Sequence, residues 1–171
     1  MTIEDNFVGD YAAGDRLSAT GGMLGAILLG TLVAGAMDIT AAIVAWMFRG
    51  IPAMRILQSV AGGLLGRDTF TGGASTAVLG LLLHFMIMSV IVSVYVAASS
   101  RLAVLTRHAI ACGIAYGIAV YIVMTFVVVP LSAAGGARPS LPLILEGVVV
   151  HILCVGVPIA LITRRFTSML S

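Results

Sequence analysis

Four long runs of apolar residues divide the chain, and short polar or charged stretches separate them. The runs cover about residues 22–48, 76–98, 105–129 and 141–163. A helix needs roughly 20 apolar residues to cross a bilayer, so each run is long enough to span one. The connections between the later runs are short, and helices joined in this way are antiparallel neighbours. The pattern therefore predicts an all-α membrane protein, an up-down bundle of four transmembrane helices.

A shorter amphipathic segment follows the first run. Residues 52–65 are too few to span a bilayer, and they begin with a proline, which suits the first turn of a helix. The large apolar residues of this segment form one stripe, and Arg55 and Gln58 lie opposite it. This arrangement predicts an interfacial or re-entrant helix that covers one end of the bundle as a lid, with Arg55 and Gln58 as its polar residues.

Composition makes a bilayer the natural surroundings of this chain. Hydrophobic residues make up 60% of it and charged residues 9%, whereas soluble domains average about 45–50% and about 25%. The formal net charge is only +2 and no basic stripe is present, which excludes a nucleic-acid partner. Residues 1–20 form a polar tail, so residues 21–171 are predicted to be a single transmembrane domain in contact with lipid.

The charges also bear on location and orientation. All nine basic residues are arginine, and together with the abundant Ala, Gly and Val they indicate a GC-rich bacterial genome. The end of the bundle that holds both termini carries five arginines (Arg16, Arg101, Arg107, Arg164, Arg165), and the lid end carries four. By the positive-inside rule, we expect both termini in the cytoplasm.

Each apolar run places one polar residue on its face of small residues. These residues are Asp38, His84, Tyr121 and His151. Membrane helices pack through small residues, so the four side chains should point into the bundle and not at lipid. With a rise of about 1.5 Å per residue, each lies roughly 12–15 Å from the lid end of its helix. The sequence therefore predicts a buried polar layer to which each helix contributes one side chain.

Three interpretations of this layer compete. In the first, Asp38 accepts hydrogen bonds from both histidines, and the network only fixes helix register in an accessory protein. In the second, the layer handles protons or a small ligand, and Glu146 and Gln58 extend it toward the lid. No polar path to the opposite surface is evident in the sequence. A small-ligand or proton-responsive cavity under the lid therefore fits better than a channel.

The third interpretation is a haem b ligated by His84 and His151. Their helices should be diagonal in the bundle, which leaves roughly 14 Å between them. The glycines that would make room for the macrocycle are Gly80, Gly117 and Gly147. Asp38 argues against this interpretation, because haem does not need a buried carboxylate. We therefore predict no cofactor and keep haem b as the alternative.

No enzyme signature is present in the sequence. A nucleophile elbow, a phosphate-binding loop, a zinc HExxH motif and a dinucleotide GxGxxG motif are all absent. Cys112 and Cys154 fall in apolar runs and are predicted to be small buried hydrophobes. The sequence thus favours a non-enzymatic protein without catalytic residues or metal ligands.

Two features concern contacts with neighbouring groups. Glu146 lies on a different helical face from the polar layer, where it would reach the interface or pair with Arg138. The small-residue face at 113–117 could pack within one bundle or between protomers. A homo-oligomer or a larger membrane complex therefore stays open as a prediction.

Several segments together resemble a known group of proteins. These are LVAGAMDITAAIVAW, PAMRILQSVAGGLLG, GLLLHF, YGIAVYIVMTFVVVPLS and HILCVGVPIALITRR. They look like small four-helix bacterial inner-membrane proteins and are loosely similar to the YagU-like inner-membrane proteins, which are linked to acid resistance. The similarity covers most of the membrane region and rests on topology, a glycine-rich first span and an intramembrane histidine. It implies a bacterial inner-membrane location and no particular reaction.

Overall fold

The structure is a computed structural model of the chain. It describes the backbone of residues 3–135 and 139–168 and the side chains of residues 20–135 and 139–167. Arg138, the predicted partner of Glu146, lies outside these residues, as do nearly all side chains of the predicted tail. The described chain is helical apart from short turns, which confirms the all-α prediction.

The helices are labelled here in chain order. The first four are α1 (Ile3–Met47), α2 (Ala53–Leu65), α3 (Gly73–Ser99) and α4 (Val104–Arg107). Helix α5 consists of Ala109–Val123, a π-helical turn at Met124–Val128, and Val129–Leu131. Helix α6 consists of Leu141–Val150, a π-helical turn at His151–Gly156, and Val157–Ser168. A 3-10 helix at Gly66–Thr71 joins α2 to α3.

Four of these helices are long and apolar enough to cross a membrane, as predicted. Their apolar parts are Thr20–Met47, Gly73–Ser99, Ala109–Leu131 and Leu141–Thr167. At about 1.5 Å per residue each one exceeds the roughly 30 Å hydrocarbon core of a bilayer. The predicted bounds differ by a few residues at several helix ends, and two of the differences are informative. Helix α1 begins inside the predicted tail, and the third apolar helix begins after His108, whose backbone (φ −112°, ψ 48°) is not helical.

Large apolar side chains cover the outside of these four helices. Leu28, Leu82, Ile110 and Leu153, one from each helix, are 59–64% exposed. Continuous apolar surface of this kind is unusual on a soluble monomer, but lipid solvates it well. The surface and the helix lengths together describe a multi-pass membrane protein.

Helices α5 and α6 meet through glycine. A Cβ atom added to Gly113 would lie 2.9 Å from the carbonyl oxygen of Gly156, and one added to Gly117 would lie 2.6 Å from the carbonyl oxygen of His151. Neither position has room for a side chain, because the obstacle is backbone. The small-residue face at 113–117 therefore packs within one chain, and membrane helices commonly approach each other in this way.

Two tyrosines hold α3 to its neighbours at the end of the bundle away from α2. The Tyr95 hydroxyl donates to the Leu105 carbonyl at 3.0 Å, and the Tyr116 hydroxyl donates to the Ile91 carbonyl at 2.7 Å. The two rings pack edge to face with centroids 4.9 Å apart. These contacts join α3 to α4 and α5 at this end of the bundle.

Helix α2 packs on the first half of α3 through its small and polar face. Gln58 is buried, and its amide nitrogen donates to the Gly73 carbonyl at 2.9 Å and to the Thr76 hydroxyl at 3.2 Å. The apolar stripe that includes Leu64 faces outward instead. Gln58 lies opposite the exposed Leu64, as the amphipathic pattern predicted, and it is this polar side that meets α3. This orientation is favourable in a bilayer, where apolar side chains gain nothing by leaving the lipid.

Candidate functional site

A polar cavity of about 260 Å³ lies between α1, α5 and α6, toward the end of the bundle where α1 gives way to α2. Its side walls include Asp38, Trp46, Tyr121, Thr125, Glu146 and His151. Three alanines of α1 complete the lining on that side and leave the space open. The structure thus brings three residues of the predicted layer to one cavity, whereas His84 is not part of its lining.

Asp38 is the charged group deepest in this cavity. It lies roughly 15 Å along α1 from the lid end of the helix. No side chain in the described part of the chain forms a hydrogen bond or ion pair with it. A carboxylate can only accept hydrogen bonds, and an ionised side chain within the bilayer is costly without a partner. The cavity gives Asp38 access to a proton or to a ligand that donates.

Tyr121 and His151 form the wall that α5 and α6 contribute. Their rings pack edge to face, with centroids 5.3 Å apart and an interplanar angle of 74°. His151 Nδ1 lies 2.9 Å from the Gly147 carbonyl oxygen. Because a carbonyl only accepts, Nδ1 carries the proton and Nε2 is left as an acceptor. Gly147 also makes room for the Tyr121 ring, which a Cβ atom there would overlap.

Both helices that carry this wall contain a π-helical turn beside it. In each turn one backbone N–H bonds to the carbonyl five residues back, from Val129 to Met124 and from Val157 to Ile152. A proline follows directly in both cases, at 130 and 158. A proline ring clashes with the carbonyl four residues back, and the wider turn relieves that clash. Such turns are frequent at functional sites, and His151 is the first residue of one of them.

His84 lies outside the polar cavity and contacts α1 instead. Its Nε2 is 2.9 Å from the Gly35 carbonyl oxygen, and the residue is buried. Both imidazoles therefore bond to backbone carbonyls, and neither donates to Asp38, contrary to the predicted network. The reason is local. Gly35 has no side chain to shield its carbonyl, and α3 packs directly against it.

An ion pair that the sequence analysis missed stands at the lid end of the polar cavity. Arg49 Nη1 lies 3.1 Å from Glu146 Oε1, and Nη2 contacts Oε2. Nη1 also donates to the Ala45 carbonyl at 2.8 Å, and the guanidinium lies over the Trp46 ring at 5.2 Å. The hydrogen bond to Glu146 raises the pKa of Arg49 above its ordinary value. Both residues lie at the lid end of their predicted spans, which was the signal available in the sequence.

The predicted lid residues do not line the polar cavity. Gln58 is occupied in holding α2 to α3. Arg55 lies over the Phe70 ring at 5.1 Å and lines a separate groove of about 520 Å³ between the end of α1 and α2. Trp46 lines both spaces and forms part of the wall between them. Helix α2 therefore lies beside the polar cavity and does not cover Asp38 with either predicted side chain.

Three glycines were expected to leave space for a haem macrocycle, and the structure shows what lies against each of them. Gly80 lies against the Leu57 carbonyl, Gly117 against the His151 carbonyl, and Gly147 against the Tyr121 ring. The backbone contacts leave no opening for a macrocycle at Gly80 or Gly117, and the polar cavity that Gly147 lines measures only about 260 Å³. Among residues 20–135 and 139–167, no three His, Cys, Asp or Glu side chains are grouped to hold a metal ion.

Comparison of the chain with protein-family models, with curated proteins and with solved structures finds no match. The resemblance to YagU-like proteins therefore stays a prediction. The functional interpretation rests on the geometry of the polar cavity alone.

Proposed function

We propose that the chain is a four-span protein of a bacterial inner membrane, with an up-down arrangement and both termini in the cytoplasm. Support comes from the four apolar helices and from contacts that run in opposite directions along paired helices, such as Tyr95 with Leu105 and Tyr116 with Ile91. In this arrangement α2 lies at the periplasmic interface. A reporter that is active only in the cytoplasm should be active when fused to either terminus, and one that is active only in the periplasm should be inactive there. Activity of the periplasmic reporter at either terminus would contradict the orientation.

Within this fold the protein acts as a non-enzymatic accessory protein that responds to a small ligand or to protons through the polar cavity. One observation carries the proposal. Asp38 lies far along an apolar helix, lines the polar cavity, and has no hydrogen-bond or ion-pair partner among the described residues. An unpaired carboxylate at that depth costs a few kcal/mol, so a group that neutralises it is stabilised there. That group is a proton or a small cation.

The lining of the cavity favours a compact organic cation. Asp38 supplies the negative charge, and the aromatic ring of Tyr121 lines the same cavity, where rings of this kind attract cations. Arg49 already neutralises Glu146, so Asp38 sets the charge of the site. A volume of about 260 Å³ is below the usual range of ligand sites, about 300–1,000 Å³, so the cavity admits only a small ligand. The ligand class is therefore a small ammonium compound.

Thermal unfolding of the detergent-purified protein with tetramethylammonium chloride tests this proposal, with sodium chloride at equal ionic strength as the reference. At a concentration 100 times Kd, a ligand stabilises the folded state by about 2.7 kcal/mol. At about 2–4 °C per kcal/mol, the wild-type Tm should rise by roughly 5–11 °C. Asp38→Asn should remove this rise. Asp68→Asn, which removes an exposed carboxylate from the 3-10 helix, is the matched control and should keep it.

The same unfolding experiment at pH 5 and pH 8 tests the response to protons. Histidine changes its charge within this range, so protonation near the cavity should alter stability. We expect a Tm difference between the two pH values that shrinks in Asp38→Asn and persists in Asp68→Asn. If tetramethylammonium and pH act equally on the wild type and on Asp38→Asn, the polar cavity is not the responsive site.

A haem b protein is the competing proposal. One observation favours it: His84 and His151 each have one ring nitrogen on a backbone carbonyl, as metal-bound histidines usually do. His84 and His151 would be the residues that hold the haem iron. An absorption spectrum of the purified protein is the test. A Soret band that both His84→Ala and His151→Ala abolish would establish haem, and a spectrum without one would remove it.

A further inference from the structure

The interfacial groove is a space of about 520 Å³ between the end of α1 and helix α2. Its lining includes Trp46, Ile51, Pro52, Arg55, Ile56 and Phe70. Most of these side chains are apolar or aromatic, and Arg55 is the only charged one among the lining residues. The groove therefore combines an apolar trough with a single cation.

Arg55 differs from the neighbouring Arg49 in what it contacts. Arg49 is bound to Glu146 and to the Ala45 carbonyl. Arg55 is exposed, lies over the Phe70 ring, and forms no ion pair with any residue the structure describes. An arginine held against a ring keeps its N–H groups directed outward, where they can bind an anion in a bidentate fashion.

The groove lies at the level where the apolar part of α1 ends. That part stops at Met47, and the groove begins one residue earlier, at Trp46. In a membrane this level is the headgroup region, where tryptophan is enriched and where arginine reaches with its charge. The trough thus lies beside acyl chains and the cation beside phosphates.

We propose that the interfacial groove binds one anionic glycerophospholipid, with its phosphate on Arg55 and the upper part of an acyl chain along Ile51, Ile56 and Phe70. A volume of 520 Å³ is within the usual range of about 300–1,000 Å³ for ligand sites, enough for a headgroup and part of a chain. The inference rests on the proposed membrane location, and it is independent of what the polar cavity binds.

Trp46 is the only tryptophan in the chain and it lines the groove, so quenching of its fluorescence by a bromine carried on a lipid reports a lipid in or beside the groove. The full-length protein is reconstituted in phosphatidylcholine vesicles that contain a small, equal fraction of brominated phosphatidylglycerol or of brominated phosphatidylcholine. Bromine quenches only a nearby ring. One arginine near an anionic headgroup contributes about 1 kcal/mol, so the apparent affinity for brominated phosphatidylglycerol should exceed that for brominated phosphatidylcholine about fivefold.

Two variants make the result specific. Arg55→Gln should make the two brominated lipids quench equally. Arg67→Gln removes an exposed arginine that does not line the groove and should keep the preference. Circular dichroism of each variant establishes that it is folded before quenching is compared. Equal quenching in the wild type, or a preference that survives Arg55→Gln or disappears in Arg67→Gln, overturns the proposal.

A competition experiment distinguishes binding of a lipid from binding of a soluble anion. Inorganic phosphate is added to the vesicles, with chloride at equal ionic strength as the reference. A lipid held by both its phosphate and its chain should not be displaced, so the preference should stay unchanged. If inorganic phosphate abolishes it and chloride does not, the groove binds a soluble anion and the lipid proposal is wrong. Neither outcome depends on Asp38, so failure here leaves the proposed function standing.

Discussion

Replacement of Gly80 by alanine tests how α2 is held to the bundle. A Cβ atom at this position would overlap the Leu57 carbonyl oxygen and would lie 2.8 Å from the Leu57 carbonyl carbon. Non-bonded carbon atoms prefer a separation of at least about 3.5 Å. The obstacle is the backbone of α2, which cannot rotate away as a side chain could. Helix α2 must therefore move away from α3 by at least about 0.7 Å.

That displacement is large enough to break the contacts of Gln58. Its amide nitrogen lies 2.9 Å from the Gly73 carbonyl, and a further 0.7 Å brings the distance to about 3.6 Å, which is no longer a hydrogen bond. Interhelical hydrogen bonds in membranes average about 0.6 kcal/mol each, and overpacking costs about 1–3 kcal/mol. Alanine is favoured over glycine in a helix by about 0.5–1 kcal/mol. The net expectation for Gly80→Ala is a destabilisation of about 2 kcal/mol.

Unfolding of the detergent-solubilised protein, followed by circular dichroism, measures this change. Gly21→Ala is the matched control, because a Cβ atom on this helical glycine meets nothing within 4 Å. It should leave stability unchanged or raise it by up to about 1 kcal/mol. If Gly80→Ala is as stable as Gly21→Ala, α2 is not packed backbone to backbone against α3, and the reasoning fails.

Three further changes test other contacts in the same unfolding assay. Thr31→Val should stabilise the protein by about 1 kcal/mol, because the Thr31 hydroxyl is buried without a hydrogen-bond partner; a loss of stability would mean that the hydroxyl has one. Tyr95→Phe should cost about 0.6 kcal/mol, since it removes the bond to the Leu105 carbonyl, and an unchanged stability would place that hydroxyl elsewhere. Arg49→Gln and Glu146→Gln should be less than additive when combined, and fully additive effects would exclude their ion pair.

The hydrophobic pattern predicted much of the fold because a membrane imposes few choices. Apolar runs of sufficient length have to be helices, since no other single segment satisfies its own backbone in lipid. The bounds were less predictable, because they depend on local backbone geometry such as the break at His108. The orientation of α2 could not be predicted from amphipathicity, because lipid and protein are equally apolar surroundings for its stripe.

Helical faces and depths brought Asp38, Tyr121 and His151 together, since residues at one depth on inward faces must meet. Helical face and depth did not predict the hydrogen-bond partner of each polar side chain. His84 bonds to the Gly35 carbonyl, which is within reach only because α3 packs closely against α1 at this glycine. The partner of Glu146 was also missed, because Arg49 reaches it from beyond the end of its apolar segment. A long side chain can place its charged group several ångströms from the position that the helical face and depth of its Cα atom predict.

The inward position of Asp38 within the membrane is tested most directly by spin labelling. Asp38→Cys and Met37→Cys are each labelled with a nitroxide in vesicles, after both native cysteines are replaced by serine. Met37 lies at nearly the same depth and is exposed on the outside of α1. We predict that oxygen, which concentrates in lipid, collides several times less often with the label at 38 than with the label at 37. Equal collision rates would mean that Asp38 faces lipid and that the polar cavity is not its environment.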